Sequence, residues 1–277
     1  SATRAHSETR CSLVSPRINS LCYHNEGVPP HTLDGIARSL ATPLCVFTKA
    51  SLRSKVHRPA YYDCILVKQY DEKGNLTHEH RLIGLYTSSV YYRAALEIPL
   101  VRRKVNTVLE RSGFTPQGHS YKDLLQVINV LPRDELFLIT TEQLFSTALE
   151  ITRIQETRTS KLFIRKDIHG KYFSCLAYVP RDIYSTEVRL QIQHLLQDAL
   201  QAEEVEFNTY FSESILARVH LILRSSNPDQ VSFDEDELEA KMIRLIKPWT
   251  DDFLEALQTQ HSESEAMEIA SDYADCF

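Results

Sequence analysis

The stretch Lys161-Leu162-Phe163-Ile164-Arg165-Lys166-Asp167-Ile168-His169-Gly170-Lys171-Tyr172-Phe173-Ser174-Cys175-Leu176-Ala177-Tyr178-Val179 decides the fold of the second half of this sequence. Two β-rich runs, Lys161 to Lys166 and Lys171 to Val179, flank Asp167-Ile168-His169-Gly170. A turn of that composition suits a hairpin, because it contains a residue that takes positive φ at no steric cost. Downstream, Val188, Ile192, Leu195, Leu196 and Ala199 recur at helical spacing. Val205, Phe207, Thr209 and Phe211 alternate along a third strand, and Val219, Leu221 and Leu223 along its partner, with a turn near Ser212 to Ser214. Leu238, Met242, Leu245, Ile246, Trp249, Phe253 and Leu257 line one side of a last helix, with a kink at Pro248. The order is ββαββα, which a circularly rearranged ferredoxin-like fold would give. Residues 158–259 are therefore expected to form an α+β sandwich, with both helices on one sheet face.

Working back toward the start, Ala60 to Tyr70 and Leu76 to Tyr86 form a second hairpin pattern around Asp71-Glu72-Lys73-Gly74-Asn75, and Leu44 to Thr48 reads as a buried strand. Helices then take over. Pro99 lies near a helix start, and Val101, Val105, Val108 and Leu109 make one stripe ending at Gly113, read as a C-cap. Leu124, Leu125, Ile128 and Leu131 make a second stripe. Pro132 breaks it, and Asp134 is a good N-cap for a third helix through Phe137, Leu144, Phe145, Ala148 and Leu149. Residues 58–157 are thus expected as a small antiparallel sheet followed by helices. Residues 1–57 read as a lead-in with a short helix, from Thr32 through Leu40, and the first strand; residues 260–277 read as an acidic tail.

Composition narrows the function. The 277 residues, 43% hydrophobic and 25% charged with a net charge of -6, suit a globular chain of about two domains. No apolar run reaches the length of about 18 residues that a membrane helix needs, and Ser1 to Arg10 lack the apolar core of a secretory signal. The chain holds only 7 glycines, whereas phosphate cradles and dinucleotide turns need them clustered. Gly113-Phe114-Thr115-Pro116-Gln117-Gly118-His119-Ser120 imitates a phosphate loop, but His119 stands where the lysine belongs and a helix, not a strand, precedes it. Cations exceed anions by five over residues 1–60, and anions exceed cations by eleven over residues 228–277. No concentrated basic face points to nucleic acid. The cysteines show no C-x-x-C pair, and Cys45, Cys64 and Cys175 lie in apolar runs, which suits buried thiols in a reducing compartment.

Few residues suggest chemistry. His78-Glu79-His80 puts two imidazoles on one strand face, yet zinc wants three or four protein ligands and no further one is near in sequence. Leu131-Pro132-Arg133-Asp134 is echoed by Val179-Pro180-Arg181-Asp182. Arg133 with Asp134, or Arg181 with Asp182, could hold the carboxylate and ammonium of an amino acid, since a guanidinium fork matches a carboxylate. The stronger reading is structural: proline ends one element and Asp caps the next helix, with Ser185 or Thr186 competing at the second site. Arg102, Arg103 and Lys104 crowd a first helical turn against the helix dipole, and an anionic ligand or another domain would explain them. No nucleophile–base arrangement can be argued.

The runs Gly84-Leu85-Tyr86-Thr87-Ser88-Ser89-Val90-Tyr91, Glu97-Ile98-Pro99-Leu100-Val101-Arg102-Arg103-Lys104-Val105, Arg111-Ser112-Gly113-Phe114, Leu131-Pro132-Arg133-Asp134-Glu135-Leu136-Phe137 and Phe173-Ser174-Cys175-Leu176-Ala177-Tyr178-Val179-Pro180-Arg181-Asp182 carry a resemblance. Over about residues 58–225 the chain resembles the N-terminal region of the large bacterial NAD-specific glutamate dehydrogenases. The resemblance implies a segment of a longer cytoplasmic polypeptide with PAS-like and ACT-like modules, whose catalytic residues and NAD-binding fold lie downstream. It places no catalytic, cofactor-binding or metal residue on this chain. It further implies a regulatory or assembly role, either through an amino-acid effector or as an oligomerisation scaffold alone. The partners so implied are the downstream catalytic region and sister subunits of a homo-oligomer, with neither nucleic acid nor membrane. Arg102, Arg103, Arg133, Asp134, Arg181 and Asp182 are the candidate effector or interface residues.

Overall fold

A computed structural model describes residues 44–54, 60–74, 76–212, 214–228, 230–247 and 249–273. The helix expected from Thr32 to Leu40 lies outside the described residues, as do Cys11, Cys22, Cys276 and Pro248. The chain divides into two compact units, one of residues 1–149 with 167–169 and one of residues 150–166 with 170–277.

In the first unit, β1 (Cys45–Arg53), β2 (Tyr61–Tyr70) and β3 (Leu76–Gly84) pair antiparallel in the order β1-β2-β3. Period-two alternation brings Val46, Cys64 and Leu66 into one buried cluster. The β2–β3 turn carries Gly74 at φ 81, the conformation its composition predicts. A short helix α1 (Ser88–Tyr92) and a single 3-10 turn (Ala95–Glu97) lead into the helices.

Helix α2 (Val101–Ser112) buries Val101, Val105, Val108 and Leu109 and stops where Gly113 takes φ 67 as its C-cap. Helix α3 (His119–Val130) buries Leu124, Val127 and Ile128. The single helix expected from Asp134 to Leu149 is instead two, α4 (Arg133–Leu138) and α5 (Thr141–Thr157). The cause is a capping box. The Gln143 backbone N–H donates to Thr140 Oγ1 at 3.2 Å, and the Thr140 N–H donates to Gln143 Oε1 at 3.2 Å, so a new helix begins there.

In the second unit, β4 (Lys161–Lys166) and β5 (Phe173–Pro180) form one hairpin and β6 (Glu204–Phe211) and β7 (Leu216–Arg224) the other. All pairings are antiparallel in the order β4-β5-β7-β6, which is the rearranged ferredoxin-like order expected from the sequence. Helix α6 (Thr186–Leu200) contributes Ile192, Leu196 and Leu200, and α7 (Glu235–Ile246) contributes Leu238, Met242 and Ile246. Both stripes pack on the same strand face, against Phe173, Cys175, Ala177, Val179, Val219, Leu221 and Leu223. The last helix does not run on past Pro248 with a kink. It ends at Ile246, and Lys247 adopts φ -62 and ψ 126, the extended conformation that a following proline enforces. Helix α8 (Trp249–Gln258) begins afresh, and α9 (Glu263–Tyr273) follows within the stretch read as an acidic tail.

Candidate functional site

The most concentrated chemistry in the first unit is buried between β1, β2 and α4. Register places Lys49 of β1 directly opposite Asp63 of β2. The Lys49 Nζ lies 2.6 Å from Asp63 Oδ1 and 2.6 Å from Asp134 Oδ2. Tyr91 donates its hydroxyl proton to Asp134 Oδ1 at 2.8 Å, and the Tyr86 backbone N–H donates to Asp63 Oδ2 at 3.2 Å. Above the cluster the Phe137 ring stacks on Tyr86 with centroids 4.6 Å apart and tilts against Phe47 at 5.5 Å.

Two carboxylates, the buried Asp63 and the half-buried Asp134, share one ammonium here. Burial alone would depress the Lys49 ammonium, but the charges of Asp134 and Asp63 outweigh it and hold lysine above its ordinary range. Burial pushes the Asp63 carboxyl above the usual carboxylate range, and the Asp134 charge adds to the rise while Lys49 opposes it. Burial and the neighbouring carboxylates also raise the Tyr86 phenol. An effector's ammonium would have to displace Lys49 from carboxylates that already hold it, so this arrangement fastens α4 to the sheet.

The six candidate residues go to different places. Asp134 is not the N-cap of α4; it sits inside the first turn, Pro132 occupies the cap, and the Asp134 carboxylate is committed to Lys49 and Tyr91. Arg133, beside it, is half-buried. In the second unit the cap of α6 is Ser185, whose Oγ accepts from the Val188 N–H at 3.1 Å. Asp182 is left exposed, 3.7 Å from Arg158 Nη2. Arg181 donates to the Ser212 carbonyl at 3.1 Å and lies 5.6 Å over the Phe211 ring. The Arg and Asp of the second echo therefore turn to different partners.

Arg102 and Arg103 are exposed on α2. Their neighbour Lys104 explains its own place in that first turn. Its Nζ donates to the carbonyls of Leu136 at 3.1 Å, Phe137 at 2.8 Å and Ile139 at 2.7 Å, where the end of α4 leaves acceptors open. Lys49, Asp63 and Tyr91 were missed by motif reading. The available signal was a lone cation and a lone anion inside neighbouring apolar strand runs, since such residues are almost never fully buried unless paired.

The two outer strands of the second sheet differ. The Leu162 N–H of β4 donates to Glu239 Oε2 at 3.0 Å and the Ile164 N–H to Glu235 Oε1 at 2.9 Å, so α7 seals that edge. Lys161 Nζ, 2.9 Å from Glu239 Oε1, holds the seal. At the other end β6 pairs only with β7 among the described residues, and Phe207, Tyr210 and Phe211 are exposed along it. Among the described residues no three His, Cys, Asp or Glu side chains gather as a metal site, and no helix is long and apolar enough to cross a membrane. Cys45, Cys64 and Cys175 are thiols.

Residues 98–157 match the family described as "Glutamate dehydrogenase, helical motif 1", and residues 161–250 match "Glutamate dehydrogenase, ACT2 domain". The chain is 44% identical over 244 residues to an NAD-specific glutamate dehydrogenase of Pseudomonas aeruginosa, covering 88% of this chain and 15% of that protein. It is 43% identical over 234 residues to one of Halomonas elongata, covering 84% of this chain and 14% of that protein. It is 29% identical over 248 residues to one of Mycobacterium tuberculosis, covering 84% of this chain and 15% of that protein. The chain therefore spans about one-seventh of the length of these relatives.

Proposed function

Because the chain belongs to the NAD-specific glutamate dehydrogenase family, we propose that it is a non-catalytic regulatory and assembly region of such an enzyme. The reaction served is oxidation of L-glutamate by NAD and water to 2-oxoglutarate, ammonium and NADH. NAD and the reacting groups are held by the downstream catalytic region of the same cytoplasmic polypeptide. The observation that carries this reading is the ACT2-matching sandwich of residues 161–250, with one sheet edge sealed by Glu235 and Glu239 and the other lined by exposed aromatics.

In the regulatory form, an amino-acid effector binds this region and shifts the dehydrogenase between states to which it has different affinity. The residues put forward for effector or interface contact remain Arg102, Arg103, Arg133 and Asp134 in the first unit and Arg181 and Asp182 in the second. Of these, Arg102, Arg103, Arg181 and Asp182 present exposed charge, while the Asp134 carboxylate is paired with Lys49. The alternative, a scaffold that binds no effector, is favoured by the exposed aromatic residues Phe207, Tyr210 and Phe211 along β6.

Calorimetry with arginine, aspartate and glutamate separates the two. Saturable heat from any of them supports the effector reading; no heat across the panel removes it and leaves the scaffold. Deleting this region from the complete dehydrogenase then tests the scaffold, which requires the subunit number to change.

A further inference from the structure

We propose that the start of α2 in one copy of this chain docks on the outer face of α9 in a second copy; this rests on the assembly half of the reading above and names one contact of that assembly. Leu100, Arg102 and Arg103 supply one side of the contact. Met267, Glu263 and Glu268 supply the other.

The start of α2 carries local costs that its own surroundings do not offset. Leu100 is held at φ 68 and ψ -50, and the Val101 N–H donates to the Pro99 carbonyl at 2.9 Å across it. Such a tight three-residue turn is rare, and positive φ strains a branched side chain. Leu100 is nevertheless 52% exposed. Arg102 and Arg103 follow in the first turn, both exposed and both against the helix dipole. Among the described residues neither guanidinium has a hydrogen bond or an ion pair, whereas Lys104 beside them is satisfied by the carbonyls at the end of α4. The contact is made by side chains, because the N–H groups of Val101, Arg102 and Arg103 already donate to Pro99, Ile98 and Leu100.

The partner follows from complementarity. Arg103 lies one turn beyond Leu100 and Arg102 next to it, so an apolar residue is flanked by two cations. Helix α9 presents the inverse. Met267 is 56% exposed, Glu263 lies one turn before it and Glu268 next to it, and both are exposed. Among the described residues neither of these carboxylates pairs with a cation. Residues 249–273 carry seven Asp or Glu and neither Lys nor Arg, so the charge that matches them comes from elsewhere. In the docked pair Leu100 is covered by Met267, and Arg102 and Arg103 meet Glu268 and Glu263. One chain holds both surfaces, so each copy offers a partner what the other requires. A contact between unlike surfaces closes into a ring or extends as a chain, according to the rotation between copies.

Sedimentation velocity of the 277-residue chain over a concentration series tests this, with circular dichroism melting of each variant as a check on folding. The wild type is expected to self-associate reversibly, and less strongly as salt screens the charges. Arg102→Glu with Arg103→Glu in one variant, and Glu263→Lys with Glu268→Lys in another, should each weaken self-association by about tenfold or more. Mixed in equal amounts, the two variants should associate with each other, because each then meets the opposite charge that its own kind lacks. A contact confined within one chain cannot produce that rescue. Leu100→Gly should weaken association by about threefold or more with the melting temperature unchanged or raised, since glycine adopts the same φ without strain. A monomer at every concentration overturns the inference. So does self-association that ignores both charge reversals, or a mixture no tighter than its components. None of these outcomes touches the broader reading, which stands or falls on deletion from the complete enzyme.

Discussion

Asp134 of α4 holds the ammonium of Lys49 of β1 at 2.6 Å, and Lys49 in turn lies 2.6 Å from Asp63 in the neighbouring strand. One buried cation thus ties two strands and a helix together. The stability of the first unit depends unequally on the three members, because removing each leaves a different charge stranded.

Lys49→Met leaves the buried Asp63 and the half-buried Asp134 carboxylates facing each other and is expected to cost about 3–5 kcal/mol, the range for breaking a buried pair from one side. Asp134→Ala leaves the Lys49–Asp63 pair in place and removes one acceptor of the Tyr91 hydroxyl, and is expected to cost about 1–3 kcal/mol. Urea denaturation followed by circular dichroism reads both; equal losses would show that Asp134 contributes as much as the cation itself.

The same cluster has a pH signature. Lys49 is held above the ordinary lysine value of 10.5, so its contribution is complete below that value and lost as pH rises through the folded value above it. Asp63 is raised above 3.8 by burial first, so the folded state binds that proton more tightly than the unfolded one. Its contribution is therefore greatest below pH 3.8 and declines as pH rises through the folded value, opposite to an ordinary ion-paired aspartate. The stability difference between wild type and Asp63→Asn should shrink as pH rises above 3.8. Denaturation midpoints measured across that range would contradict this if the difference grew.

At the start of α6 the cap, not the echoed motif, carries the energy. Ser185→Ala should destabilise the second unit by about 1 kcal/mol, the usual loss for an N-cap oxygen. Asp182→Ala, with its exposed partner at 3.7 Å, should stay within about 0.5 kcal/mol. Thermal melts of the two variants check the order.

Lys104 and its neighbours form a matched control. Lys104→Met leaves the carbonyls of Leu136, Phe137 and Ile139 without their shared donor and should cost about 1–3 kcal/mol. Arg102→Ala and Arg103→Ala, both exposed, should stay within about 0.5 kcal/mol. Parallel denaturant titrations would refute the distinction if all three behaved alike.

Much of the fold was legible because periodicity dominates it. The alternation of Val205, Phe207, Thr209 and Phe211, and the helical stripe through Ile192 and Leu196, lie in the elements they predict. Helix boundaries failed where a cap outweighed the apolar stripe. Thr140 and Gln143 form a capping box that was readable in the sequence, yet the continuous stripe from Phe137 to Leu149 hid it. Ser262 and Glu265 form another at the start of α9, in a stretch whose acidity suggested only a tail. The Lys49 cluster depends on strand register and on α4 meeting the sheet, and local pattern specifies neither. Asp134 was singled out, but its partners lie 85 and 43 residues away in the chain.

The central claim, that this segment belongs to a glutamate dehydrogenase without performing its chemistry, is tested most directly by the rate of NADH formation when the 277-residue chain alone is mixed with glutamate and NAD. The account predicts no rate above buffer at any glutamate concentration. A rate that saturates with glutamate and scales with the amount of chain would contradict it.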